Sequence, residues 1–239
     1  MKKIFAFLFS MVSLLLGAAI VSTTGLDPVY SFGVVSLGAV LTYKFAQSNG
    51  LAFSTCGTIA ASNTKDCDNL PNAGTRDRMV IMNWEDVTLT YDADGHTIAN
   101  VVLASGATAY QIDGQNNSIV PMSQMVERGF FDKFDQEVVA KGFDIGQAAK
   151  VAANNMVGGL YMVICENYHK GASGNASHEV YGATVGLELV ELQREPNSEE
   201  TEGALHFRFY TRKNKENSLA RTLFDTDYDT TKAIVDGLL

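Results

Sequence analysis

VTLTYDADGHTIANVVL, Val87 to Leu103, decides how the rest of this chain is read. Val87, Leu89 and Tyr91 alternate with Thr88 and Thr90, the period of two that puts successive side chains on opposite faces of a strand. Asp92-Ala93-Asp94-Gly95 follows, and Asp-Gly supplies the positive φ angles of a tight turn. Ile98, Val101, Val102 and Leu103 then form a return strand. The stretch is a β-hairpin, so antiparallel sheet is expected around it.

Outward from the hairpin, Met79-Val80-Ile81-Met82 is a short apolar run suited to a strand, and Ala107 to Ile112 suits another. Leu160 to Cys165, LYMVIC, is apolar throughout and belongs at a sheet's centre. Val180 to Leu192 has strand character with Gly182 and Gly186 inside it, as at bulges. Ala204 to Arg212 alternates, with Leu205, Phe207 and Phe209 on one face. Polar turns are expected from Arg194 to Gly203 and from Lys213 to Ser218.

Pro121 to Lys141 changes period. Met122, Met125, Val126, Phe130, Phe134, Val138 and Val139 recur at three and four, which predicts a helix. A second, short helix is expected from Asp144 to Asn155, with Asp144 as its cap. Asp229 is expected to cap a closing helix from Thr230 to Leu238. Ser48 to Arg78 has little apolar periodicity and reads as a long loop or arm that reaches a neighbour.

The N-terminus has a different character. Ile4 to Val21 is eighteen residues without a charge, and Val29 to Ala46 is a second apolar stretch broken only by Lys44. Three accounts stay open: a secretory signal, a membrane hairpin with Lys2, Lys3 and Lys44 on one side, or two helices buried in an assembly. Residues 1–47 are therefore one segment, 48–78 an arm, and 79–239 a β-rich domain. Membrane contact is expected only through residues 4–46. The fold class expected is α+β: mainly an antiparallel β-sandwich or barrel, with a central helix pair and a C-terminal helix, preceded by two apolar helices.

The chain carries a formal charge of −9, and residues 1–50 hold +2 of it, leaving −11 for residues 51–239. Phosphate contact needs clustered Lys and Arg, so no sequence-specific nucleic-acid partner is expected. Cys56, Cys67 and Cys165 are three, an odd number. A Cys56–Cys67 bridge would stiffen a short polar loop; two unpaired thiols are the expectation taken. No CxxC occurs, and none of His96, His169, His178 and His206 is read as a zinc partner of the cysteines, so no zinc site is expected. Asp92 and Asp94 lack the remaining ligands of a calcium loop. Asp225, Asp227, Asp229 and Asp236 have part of its rhythm, but Thr230 stands where the loop needs glycine. Gly171-Ala172-Ser173-Gly174 misses the nucleophile-elbow spacing by one residue. Asn175-Ala176-Ser177 matches a glycosylation sequon by pattern. There is no P-loop and no dinucleotide fingerprint. No catalytic, cofactor-binding or metal-binding residue is assigned, and the chain is expected not to be an enzyme.

Several stretches, taken together, resemble virion structural proteins of tailed phages that infect gut Bacteroides-like bacteria. They are Cys56 to Val87, Gly106 to Gly114, Glu166 to Leu189, Glu202 to Phe209, and the closing FDTDYDTTKAIVDGLL, Phe224 to Leu239. The resemblance is to a tail-tube subunit or a related tail or head-completion subunit. It implies a self-assembling protein located in the virion, with copies of itself and neighbouring virion proteins as partners. It implies no cofactor and no catalytic residues. The alternative expectation is an exported or membrane-anchored binding module of a bacterial envelope.

Overall fold

Strands β1 (Thr75–Asn83) and β7 (Leu160–Asn167) run antiparallel at the centre of the fold, with Met79 opposite Cys165 and Ile81 opposite Val163. A computed structural model describes residues 70–128, 131–171, 173–199 and 201–239, all within the compact unit Lys65–Leu239. The expectations about residues 1–47, and about Cys56 and Cys67, lie outside the described residues.

β1 is apolar from Met79 to Met82 and β7 from Tyr161 to Cys165, because both faces of these stretches are buried. Met79, Ile81, Tyr161, Val163 and Cys165 enter one core, with Phe207 and Phe209. Val80, Met82, Met162 and Ile164 enter a second core, with Ile98, Val180 and Leu223. The other strands complete one mostly antiparallel sheet of eleven strands. They are β2 (Val87–Tyr91), β3 (Ile98–Leu103), β4 (Tyr110–Asp113), β5 (Ile119–Arg128), β6 (Phe131–Gly142), β8 (His178–Tyr181), β9 (Leu187–Arg194), β10 (Leu205–Tyr210) and β11 (Arg221–Leu223). On one edge β7 meets β1, which also pairs β4. On the other edge it meets β8 and then β9, from which the sheet runs out through β11 and β3 to β2, and through β10 and β6 to β5.

The hairpin read from Val87 to Leu103 forms, with Val87 opposite Leu103. Asp94 organises its turn by accepting hydrogen bonds from the His96 and Thr97 amides and the Thr97 hydroxyl. Those bonds, the Thr97 hydroxyl first, hold its carboxyl down at about 2. The glycines at 182 and 186 bracket an excursion: Tyr181 faces Val163, Leu187 faces Tyr161, and the residues between loop out. Gly182 has φ 75°, and a Cβ there would lie 2.8 Å from the Tyr161 carbonyl oxygen.

The helix expected from Pro121 to Lys141 is not formed. Residues 119–142 are instead the β5–β6 hairpin, with Ile119 opposite Ala140 and Arg128 opposite Phe131. The alternation was hidden by polarity. Val138 and Ala140 are buried, but Gln136, two residues earlier on the same side, is 1% exposed and polar. Val138 and Ala140 pack opposite Phe209 and Phe207 of β10, and β-branched and aromatic side chains suit that surface. The central helix pair is thus a single short helix.

That helix, α1 (Gln147–Asn155), buries Ala149 and Ala153. Its cap position is Gly146, not Asp144; Asp144 Oδ1 accepts from the Gly146 amide just outside it. The closing helix α2 (Tyr228–Asp236) buries Val235 and is capped by Asp227, which accepts from the Thr230 amide at 2.7 Å. Asp229 lies within its first turn, so the expected cap was two residues late. Among the described residues no helix is long and apolar enough to cross a membrane.

Candidate functional site

A cleft of about 500 Å³ opens where β5 returns against β1. The Thr75 hydroxyl donates to the Ile119 carbonyl at 2.6 Å and ties the two strands at its floor. β8 supplies Glu179 and Tyr181, which share a face because strand side chains repeat every two residues. Tyr181 is 3% exposed, and its hydroxyl donates to Glu179 Oε2 at 2.6 Å. Burial, and then the neighbouring carboxylate, push that phenol well above its ordinary value. Asn72, Asn117, Asn167 and His169 bring polar groups to the cleft, and Pro71, Val120 and Pro121 bring apolar ones. Among the described residues Glu179 has no salt-bridge partner, and the lining holds no Lys or Arg.

Beside the cleft, α2 is fastened to the sheet by a buried polar cluster. The Tyr228 hydroxyl donates to Glu166 Oε1 at 2.8 Å, and Arg76 pairs with the same oxygen at 3.2 Å. Burial, then the Glu166 hydrogen bond, push the Tyr228 phenol up to about 12. His178 stacks on the Tyr228 ring, and Lys170 Nζ lies 3.2 Å from that ring's centroid. Ser177 Oγ and His178 Nδ1 are hydrogen-bonded at 2.9 Å. A serine beside a histidine invites a catalytic reading, but Ser177 and His178 are 0% and 2% exposed. Burial pulls His178 below its ordinary value. The pair is an internal fastening closed off from solvent.

A second polar node lies under the turn from Lys213 to Ser218. The polar turn expected there forms, and Lys215 and Glu216 within it are buried. Lys215 Nζ pairs with Asp135 and donates to the Thr211 carbonyl at 2.6 Å. Glu216 Oε1 accepts from the Thr184 and Val185 amides at 2.9 Å each, holding the excursion between β8 and β9. Gln136 Oε1 accepts from the Gly182 amide at 2.8 Å.

The residues singled out from sequence are scattered by the fold. Asp94 shapes a turn, Asp227 caps α2, and Asp236 binds Arg78 and Lys232. Among the described residues no group of three His, Cys, Asp or Glu side chains gathers as a metal site requires. Cys165 is a buried free thiol in β7, and burial pushes its ionisation far up. His96 is exposed at the hairpin turn. His206 lies on β10, its Nδ1 3.6 Å from Glu191. Of the four histidines only His169 lines the cleft. Sequence reading missed Glu179 and Tyr181; Tyr181 sits inside the stretch read simply as strand, and Glu179 lies one residue before that stretch. Their signal was a lone carboxylate two residues from a tyrosine on one strand face.

No family model, no curated protein and no solved structure matches this chain.

Proposed function

We propose that the chain is a non-enzymatic virion structural subunit whose β-rich domain, a β-sandwich or barrel, self-assembles through the ends of its sheet. The observation that carries this reading is the outer edge of β5. The Lys141 amide donates to the Ser118 carbonyl, which fixes the alternation along the hairpin. Val120, Met122 and Gln124 turn their backbone groups toward β6, and Ile119, Pro121, Ser123 and Met125 turn theirs away. The Ile119 carbonyl is taken by Thr75, and Pro121 has no N–H, so this half of the edge is blunted. From Ser123 onward, no strand among the described residues pairs with it.

That edge also carries exposed apolar side chains: Val120 at 54%, Met122 at 40% and Met125 at 65%. Unprotected edges invite strand addition. β2 is the opposite end of the sheet path, and among the described residues no strand pairs with its outer side. A sheet with two different open ends joins head to tail, and such heterologous contacts build rings or filaments. The acidic surface fits a structure from which DNA is to be kept loose.

Negative-stain microscopy and light scattering of the purified full chain test this. Rings, tubes or large oligomers are expected, and Met125→Lys with Ser123→Pro should dissolve them. A strictly monomeric protein over a wide concentration range would sink the reading. The cleft beside β5 favours a second reading, an exported or membrane-anchored binding module. Recovery of the intact chain from a bacterial membrane fraction would decide for it.

A further inference from the structure

We infer that the cleft between β1, β5 and β8 is a binding site for an aliphatic ammonium group on a methylene stem, the group a lysine side chain presents. The inference does not depend on the assembly reading. Tyr181 occupies Glu179 Oε2, so the carboxylate is held in one orientation, and Oε1 has no hydrogen-bond partner among the described residues. The Asn167 amide nitrogen is spent on the Ala176 carbonyl, which leaves its Oδ1 as a second acceptor. The Asn72 and Asn117 side chains also line the cleft, and each amide can turn its oxygen toward a donor. An ammonium has three N–H donors and no acceptor, so it matches a site where the fixed, unspent groups are oxygens.

The charge argument runs the same way. Nearby cations are already engaged, Arg76 with Glu166 and Lys170 on the Tyr228 ring. The Glu179 side chain is therefore oriented by a buried hydroxyl and has no cationic partner among the described residues. An anionic ligand would meet that carboxylate with no lysine or arginine to offset it. Pro71, Val120 and Pro121 offer apolar walls, which suit the methylenes of a basic side chain while its head stays polar. The volume lies within the range of small-ligand pockets.

The test uses the full chain, titrated calorimetrically with four probes: Nα-acetyl-lysine methylamide, cadaverine, Nα-acetyl-norleucine methylamide and trehalose. The lysine amide is expected to bind, and the norleucine amide, which has the stem without the ammonium, to bind about tenfold or more weakly. Cadaverine binding as well as the lysine amide assigns the site to the ammonium alone. Failure of cadaverine beside a binding lysine amide assigns it to lysine presented on a peptide. Glu179→Gln keeps the acceptor for Tyr181 and should weaken the lysine amide about tenfold with an unchanged melting temperature. Should that variant melt early, Val120→Lys, at an exposed rim position, supplies a competing ammonium and should abolish binding. Equal binding of the norleucine amide, preference for trehalose, no binding of the lysine amide, or no loss in either variant would each overturn the inference.

Discussion

Glu216 is the residue whose removal tests the packing argument most directly. It is 1% exposed, and its Oε1 receives two backbone N–H groups, those of Thr184 and Val185, at 2.9 Å each. Glu216→Ala leaves both amides without their acceptor. An orphaned buried donor costs about 1–3 kcal/mol, so the pair should cost about 2–6 kcal/mol. Glu216→Gln retains an oxygen in the same place and forfeits only the charge assistance, about 1–2 kcal/mol. Urea unfolding of the full chain gives the two values. Amide hydrogen exchange then localises the effect: in the alanine variant Thr184 and Val185 should lose protection while Val163 and Ile164 in β7 keep theirs. An alanine variant costing under about 1 kcal/mol would refute the reasoning. Unchanged exchange at Thr184 and Val185 would refute it too, because the carboxylate would then not be their acceptor in solution.

Gly182→Ala puts a Cβ at φ 75° and against the Tyr161 carbonyl, and should cost about 1–3 kcal/mol or more in the same unfolding assay. Gly95→Ala, also at positive φ but with open space around it, should sit at the low end, about 1 kcal/mol. Tyr228 has a folded pKa of about 12, above the ordinary phenol value, so its contribution is fully present below about pH 10 and is lost as pH rises toward 12. Ultraviolet titration of the protein against a Tyr228→Phe variant should show the missing phenolate step near 12. Asp94 is shifted the other way, to about 2, so the support it gives the β2–β3 turn is present above about pH 4 and fades as pH falls toward 2. Asp94→Ala should lose that part of the acid dependence, read from thermal melts between those pH values.

Elements whose burial is simple were legible in the sequence. β1 and β7 are apolar on both faces, and β10 is apolar on alternate residues, so hydrophobicity alone placed Met79 to Met82, LYMVIC and Leu205 to Phe209. β6 was misread because its buried side is partly polar. Gln136 is tied to Gly182 and the Ser218 carbonyl, and Asp135 to Lys215 and Tyr210, all distant in sequence. Without those partners, Phe134, Val138 and Val139 fit a helical spacing better than an alternating one. The burial of Lys215 and Glu216 in the turn from Lys213 to Ser218 was illegible for the same reason seen from the other side: only the fold brings Asp135 and the excursion to them. The cleft was illegible because its lining comes from five separate stretches between Pro71 and Tyr181. Only tertiary closure through Thr75 and Ile119 makes them neighbours.

The position of the buried polar node says something about the hairpin it braces. β10 pairs β6 only from Glu137 to Gly142, so the outer part of the β5–β6 hairpin extends beyond its neighbouring strand. A long two-stranded ribbon is marginal by itself. What supports it is the bridge between Phe134 and Glu216, with Lys215 on Asp135 and the Ala220 amide on the Ser123 hydroxyl. Apolar packing could have held the base of the hairpin in many slightly different ways. A network of directional bonds holds it in one, at the cost of burying charge. A projecting strand edge used for joining subunits needs that kind of constraint, since small errors in its angle accumulate from copy to copy. The hypothesis that follows is specific: the network is there to fix the direction of the β5 edge rather than to raise stability. On the assembly proposed above, replacing Lys215 and Asp135 together by Met and Leu should then leave the melting temperature nearly unchanged while broadening or abolishing the proposed assemblies. A double variant that assembles as uniformly as the parent would show that the network has no such role.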